Sequence, residues 1–264
     1  MKIVFFGGSK FSRYYLDALT NVYSEVFAFD KLPSMEQLVA LSPDIGIIAY
    51  FGYIVPENML MVPKRGFINV HYSLLPRWRG AAPVQHAILA GDKEIGISIL
   101  VATKKVDSGA ILAQESIPIL PNDTYLSLEE KLIPLGSKML LSVLPKYLLG
   151  TIVLKTQNEA EATYAKKMNK INGLIDWSRD AAHIERMTRA YELWPGTYTK
   201  MKNGKILKIK KVEVIDGKLK ILTVQPEGKK DMPYEAFLRG HKDFVLPGLD
   251  SNQNKRLQRP LSYH

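Results

Sequence analysis

Cysteine is absent from the 264-residue chain, which removes disulfides, thiolate-ligated metals and a cysteine nucleophile together. Long apolar runs are missing too. The best, Ile45 to Val55, is interrupted by Gly46 and Gly52 and stops at Pro56 and Glu57, short of the roughly 18 residues a membrane-spanning helix needs, so no membrane association is expected. The opening residues, Met1 to Phe6, lead into a strand-like segment without the basic region, long apolar stretch and cleavage site of a secretory signal, and a cytoplasmic location is expected. Histidine is sparse: His71, His86, His183, His241 and His264 include no pair at the i, i+4 spacing of zinc-protease helices, and no metal site is expected. A dinucleotide fingerprint is also lacking. Gly7 and Gly8 follow the first strand, but Ser9, Lys10 and Phe11 fill the turn where a further glycine would be needed.

What remains is ordinary globular composition, 46% hydrophobic and 23% charged, at a length that suits one larger and one smaller domain. The charge is unevenly placed. Residues 1–150 carry 14 Lys and Arg against 13 Asp and Glu, whereas residues 151–264 carry 22 against 13, so +9 of the net +10 falls in the second part. A one-sign excess confined to one part of a chain is the footprint of a polyanion-binding module, and it is also a common route to solubility.

The first part alternates strand and helix. Lys2 to Phe6 reads as a strand, Phe11 to Leu19 as a helix, Val26 to Phe29 as a strand, Ser34 with Gln37 as a capping box, Ile45 to Ala49 and Phe67 to His71 as strands, and Val84 to Ala90 as a helix closed by Gly91. Ile95 to Val101 and Ala110 to Ile117 flank the turn Asp107-Ser108-Gly109 and can pair as a hairpin. A long helix follows, which Pro134 should kink and Gly150 should end. This alternation predicts an α/β domain over 1–150 with a mainly parallel sheet. Polar, aperiodic residues 151–163 read as a linker.

Residues 164–248 read as a second, basic domain. A helix from Ala181 to Ala190 is capped by Asp180, and the short strands Thr197 to Lys202, Lys205 to Val214 and Lys218 to Val224 are joined by the turn pairs Asn203-Gly204 and Asp216-Gly217. The apolar parity shifts inside Lys205 to Val214, predicting a bulge near Lys210 and Lys211. A small β-barrel or meander is expected, then a helix from Pro233 to Leu238. The basic, apolar-poor tail, 249–264, reads as disordered.

Chemistry-bearing residues concentrate in Phe67 to Gly80, FINVHYSLLPRWRG. Asn69 and His71 are two apart on a strand and so point to one side of a sheet, at the strand end where open α/β sheets bind ligands; Asn and His also commonly satisfy loop backbone. Asp107, taken as a lone Asp-Ser-Gly, is more often plain turn chemistry. Tyr50, Phe51 and Tyr53 fit either stacking on a flat heterocycle or core packing, and Lys205, Lys208, Lys210 and Lys211 either phosphate contacts or a solvated strand face.

The whole pattern is more specific than its parts. Asn69-x-His71, Ser73-Leu74-Leu75-Pro76, Arg79-Gly80 and Asp107-x-Gly109 resemble the formyltransferases that use 10-formyltetrahydrofolate. Arg77 to Pro83, Thr163 to Lys167, Ile175-Asp176-Trp177, Trp194-Pro195-Gly196 and Val224 to Lys230 extend the likeness to the methionyl-tRNA formyltransferase branch, from Met1 to about Asp243.

The resemblance implies a Rossmann-like catalytic domain and a C-terminal domain of the OB type. It implies Asn69, His71 and Asp107 as the catalytic trio and Ser73, Leu74, Leu75 and Pro76 as folate contacts. The implied co-substrate is 10-formyltetrahydrofolate and the implied partner an initiator methionyl-tRNA, whose phosphates suit the basic second part, with a monomeric chain and no metal. The chain departs from the family between the first strand and Asn69: after Phe29 it passes quickly to Ser34 and Ile45, without a basic loop and adjoining strand-helix portion, the loop being one that in the family helps engage the tRNA acceptor end. Sugar-nucleotide N-formyltransfer and a non-catalytic RNA- or folate-binding role are therefore kept as alternatives.

Overall fold

The computed structural model describes residues 1–241 together with Phe244 and Leu246; the tail read as disordered, 249–264, lies outside the described residues. The chain divides into two compact units. The first comprises Met1–Ala87, Lys93–Leu120 and Ser127–Lys166, and the second Ile88–Asp92, Pro121–Leu126 and the described residues from Lys167 on.

In the first unit β1 (Lys2–Phe6), α1 (Ser12–Thr20), β2 (Glu25–Phe29), α2 (Met35–Leu41), β3 (Ile45–Ala49), α3 (Glu57–Leu60) and β4 (Phe67–His71) alternate as expected. The short β5 (Arg79–Gly80), α4 (Pro83–Ala90), β6 (Glu94–Val101), β7 (Ile111–Pro118) and α5 (Tyr125–Leu148) follow. The sheet runs β2-β1-β3-β4-β6-β7. Its β2-β1-β3-β4 portion is parallel, while β6 joins β4 antiparallel and forms the expected hairpin with β7. Ile3, Val4, Phe5 and Phe6 of β1 are all buried, the continuous apolar run of a strand covered on both faces. Ser34 caps α2 through the expected reciprocal box with Gln37.

Pro134 lies inside α5 without ending it, because Leu128, Leu132, Leu140 and Leu144 keep a buried stripe running through that position. The expectation of a linker is corrected. Residues 151–163 are no free tether: Lys155 exchanges backbone bonds of 2.8 and 2.9 Å with Ile111, and β8 (Tyr164–Ala165) pairs in parallel with β5. The segment has no periodicity because its polar groups are matched to distant backbone one by one, not to a common face.

In the second unit α6 (Ala181–Ala190) is capped by Asp180, whose Oδ1 accepts from the His183 amide at 2.6 Å. The strands β9 (Tyr198–Lys200), β10 (Ile206–Ile215), β11 (Lys218–Pro226) and β12 (Met232–Pro233) form an antiparallel sheet in the order β12-β11-β10-β9, and α7 (Tyr234–Gly240) follows. Asp216 and Gly217 both have positive φ, 50° and 72°, as a two-residue hairpin turn requires. The register shifts at Lys211, between Ile209 and Val212. That bulge keeps Leu207, Ile209 and Val212 all buried while Lys208, Lys210 and Lys211 are exposed. No helix among the described residues is long and apolar enough to cross a membrane.

Candidate active site

Strand β4 ends at His71, with Asn69 two residues earlier on the same side. Asp107 comes from the turn between β6 and β7. Its backbone is left-handed, φ 51°, a conformation Asp tolerates better than most residues. Around it the Ser108 amide and hydroxyl both donate to the Lys105 carbonyl, at 3.3 and 2.8 Å. Gly109 is obligatory, since a Cβ there would lie 1.8 Å from the Val101 carbonyl oxygen. Turn chemistry and a site role are thus not rivals at Asp107, because the turn is what aims the carboxylate at β4.

The structure brings Asn69, His71 and Asp107 together. Asn69 Nδ2 donates to Asp107 Oδ1 at 3.0 Å, and the Gly80 amide donates to Asp107 Oδ2 at 2.8 Å. His71 Nδ1 lies 3.4 Å from the same Oδ2, with both side chains about nineteen-twentieths buried, 5% and 7% exposed. On the other edge of the ring, Nε2 is 2.9 Å from the Trp78 carbonyl oxygen. A carbonyl can only accept, so Nε2 carries a hydrogen, and Nδ1 is the ring atom that faces the carboxylate. Asn69 is oriented by the same logic: a carboxylate oxygen must face its NH2 end, which leaves the second N–H for another acceptor.

The stretch Ser73 to Pro76 forms a tight turn with a cis Leu75–Pro76 bond. The Ser73 hydroxyl donates to the Arg77 carbonyl at 2.6 Å, and Leu75 packs with Leu100 and Ile111 in a small core cluster. Of the four positions expected to contact folate, Leu74 and Pro76 are partly exposed, whereas Ser73 and Leu75 are buried. Ser98 and Gln114 hold this turn from below: Ser98 Oγ accepts from the Leu75 amide at 3.0 Å and Gln114 Nε2 donates to the Leu75 carbonyl at 2.9 Å.

For the aromatic trio the packing alternative prevails at two positions. The Tyr50 ring sits 4.1 Å from that of Tyr72, and its hydroxyl donates to the buried Glu129. Burial, with the adjacent Glu129 carboxylate, pushes the Tyr50 hydroxyl well above its ordinary pKa. Phe51 packs 5.1 Å from Phe6, and Tyr53 is exposed.

Sequence reasoning missed Gln157, Glu159 and Thr163. The Thr163 hydroxyl accepts from the Trp78 amide at 2.9 Å and its carbonyl accepts from the Arg79 amide at 2.9 Å, fixing the backbone on which Trp78 O and Gly80 N are presented. Nothing local marks Gln157 and Glu159, which are polar side chains in a polar stretch, and the motif that Thr163 opens does not show its bonds to the backbone of Trp78 and Arg79.

Comparison with known proteins follows the same division. Residues 30–144 match the formyl transferase family model and residues 167–218 that of the formyl transferase C-terminal domain. The chain is 38% identical to a methionyl-tRNA formyltransferase of Methylococcus capsulatus over 78% of this chain and 74% of that protein. Across such relatives the chain spans 59% to 83% of their length. Among solved structures, a methionyl-tRNA formyltransferase from Clostridium thermocellum superposes with a TM-score of 0.67 at 18% identity, covering 86% of this chain and 98% of that one. HypX from Aquifex aeolicus superposes with a TM-score of 0.72 at 19% identity; the match covers 90% of this chain but 48% of HypX. At these identities the structural likeness speaks to fold.

Proposed function

Because this chain belongs to the methionyl-tRNA formyltransferase family, we propose that it transfers the formyl group of 10-formyltetrahydrofolate to the α-amino group of an initiator methionyl-tRNA. The observation that carries the proposal is the convergence of an amide, an imidazole and a carboxylate from β4 and the β6–β7 turn on one point.

The reaction forms a bond between the amine nitrogen and the formyl carbon and then breaks the bond from that carbon to the folate nitrogen. Between the two steps lies a tetrahedral intermediate bearing an oxyanion. Asn69 is a neutral donor with a second N–H beyond the one given to Asp107; it meets that charge without being titrated away, the kind of interaction worth roughly 10² to 10³ in rate. The attacking amine must shed a proton, which passes to the His71–Asp107 couple through Nδ1, while the Trp78 carbonyl holds the other edge of the ring. The leaving folate nitrogen is then protonated from the same couple. Leu74 and Pro76 border the donor, and the exposed lysines of β10 attract and position the phosphates of the acceptor. One chain contains the whole trio, so a monomer is the working form, acting in cytoplasmic translation initiation.

The test offers charged initiator tRNA and a panel of amino sugar nucleotides, each with the folate donor. Formylation of the methionyl-tRNA is expected. Turnover of a sugar nucleotide alone would transfer the site to the alternative acceptor class, and turnover of neither would leave a binding protein.

A further inference from the structure

We propose that Gln157 is a positioning residue for Asp107, held in register by the buried Arg79. The side-chain amide of Gln157 donates to two carbonyls of one turn, that of Asp107 at 2.9 Å and that of Gly109 at 2.7 Å. Bridging residues two apart, it fixes the peptide plane that follows Asp107 and the one that follows Gly109, and with the first of them the direction in which the Asp107 side chain leaves the backbone.

The orientation of Gln157 is itself determined. Its Oε1 accepts from Arg79 Nε at 3.1 Å and from a terminal nitrogen of the same guanidinium at 2.8 Å, and an arginine can only donate. The NH2 end must therefore face the turn. Arg79 is 1% exposed and is the largest fully buried side chain among the described residues. It is anchored in turn by two bonds to Glu159, at 3.0 and 2.8 Å, and Lys105 of the Asp107 turn reaches the same carboxylate at 2.5 Å. The residue after Arg79, Gly80, supplies the amide that holds Asp107 Oδ2. Asp107 is thus gripped at its backbone through Gln157 and at its carboxylate through Gly80, and both grips originate at Arg79. The common anchor sets the distance between carboxylate and imidazole, a quantity to which rate is steeply sensitive.

A purely structural reading would have Gln157 only satisfy the buried guanidinium. Gln157→Glu separates the two, because it keeps an oxygen for Arg79 and replaces the NH2 donors with an oxygen facing two carbonyls. Expected are a fall in kcat of about 10²-fold with KM for both substrates within about twofold, and a displaced pH titration of the His71 ring signals in the folded, substrate-free protein. A kcat within about twofold of the parent and an unmoved His71 titration would overturn the proposal. Should Gln157→Glu not fold, Gln157→Ala is read by the same two measurements and the same two outcomes. The inference rests on the formyl-transfer reading, but the titration needs no substrate. A displaced titration in a protein whose parent formylates nothing overturns the reaction and leaves the positioning role standing.

Discussion

The two units handle charge in opposite ways. In the first, the decisive charges are few, buried and matched to named partners: Asp107 takes two neutral donors and faces an imidazole, and the Arg79 guanidinium lies between Gln157 and Glu159. In the second, the positive charges of β10 stand exposed on a strand face whose other side, Leu207, Ile209 and Val212, makes the core. A buried charge is tolerated only with fixed partners, and this fixity is what a transition state requires. An exposed charge is screened and mobile, enough to attract a polyanion of varying sequence. On the proposed function, this contrast places rate in the first unit and affinity in the second.

The comparison breaks most directly at β4. Asn69→Ala and His71→Ala should each lower kcat by roughly 10² to 10³ while tRNA affinity, read by filter binding, changes little; an equal loss of binding would erase the division. Next in size, Gly109→Ala forces backbone to shift at a site where the added carbon meets Val101 O at 1.8 Å. A loss of about 1–3 kcal/mol by denaturant titration is expected, with turnover falling further than stability explains.

The converse experiment is Lys208→Ala with Lys210→Ala. The slope of log affinity against log salt should shrink by about 1 for each lysine–phosphate pairing removed, with kcat at saturating tRNA unchanged. The smallest effect sharpens the contrast within the first unit. Hydrogen bonds from Arg79 and Lys105 hold the Glu159 carboxylate down at about 2, against an ordinary 4.5. A carboxylate depressed in the folded state contributes stability above its unfolded pKa and loses it as pH falls through the folded one. The Tm advantage of the parent over Glu159→Gln should therefore be full above pH 4.5 and vanish toward pH 2. A pH-independent gap would show that the ion pair is inert.

Much of this was legible in the chain itself, for physical reasons particular to each element. The period-two logic of a strand put Asn69 and His71 on one side before any coordinates. The parity shift within β10 announced its bulge, and Asp216-Gly217 announced its hairpin. Residues whose importance comes from bonds across long sequence separation were opaque. Gln157 and Thr163 bond to groups roughly 50 and 85 positions away, and no window read along the chain contains both ends of such a bond. Tyr50 was undecidable for a related reason: the partner that fixes it, Glu129, lies 79 residues on.

The return of residues 155–165 to the trio has a consequence for how the protein is made. Synthesis proceeds from the amino end, and Gln157 follows Asp107 by 50 positions, a delay of roughly 2.5 to 10 s at ribosomal speed. On the proposed reading, a nascent chain thus holds Asn69, His71 and Asp107 for seconds before the residue that braces the Asp107 turn is made. On that reading the brace on the Asp107 turn comes from the last segment of the first unit, which ends at Lys166.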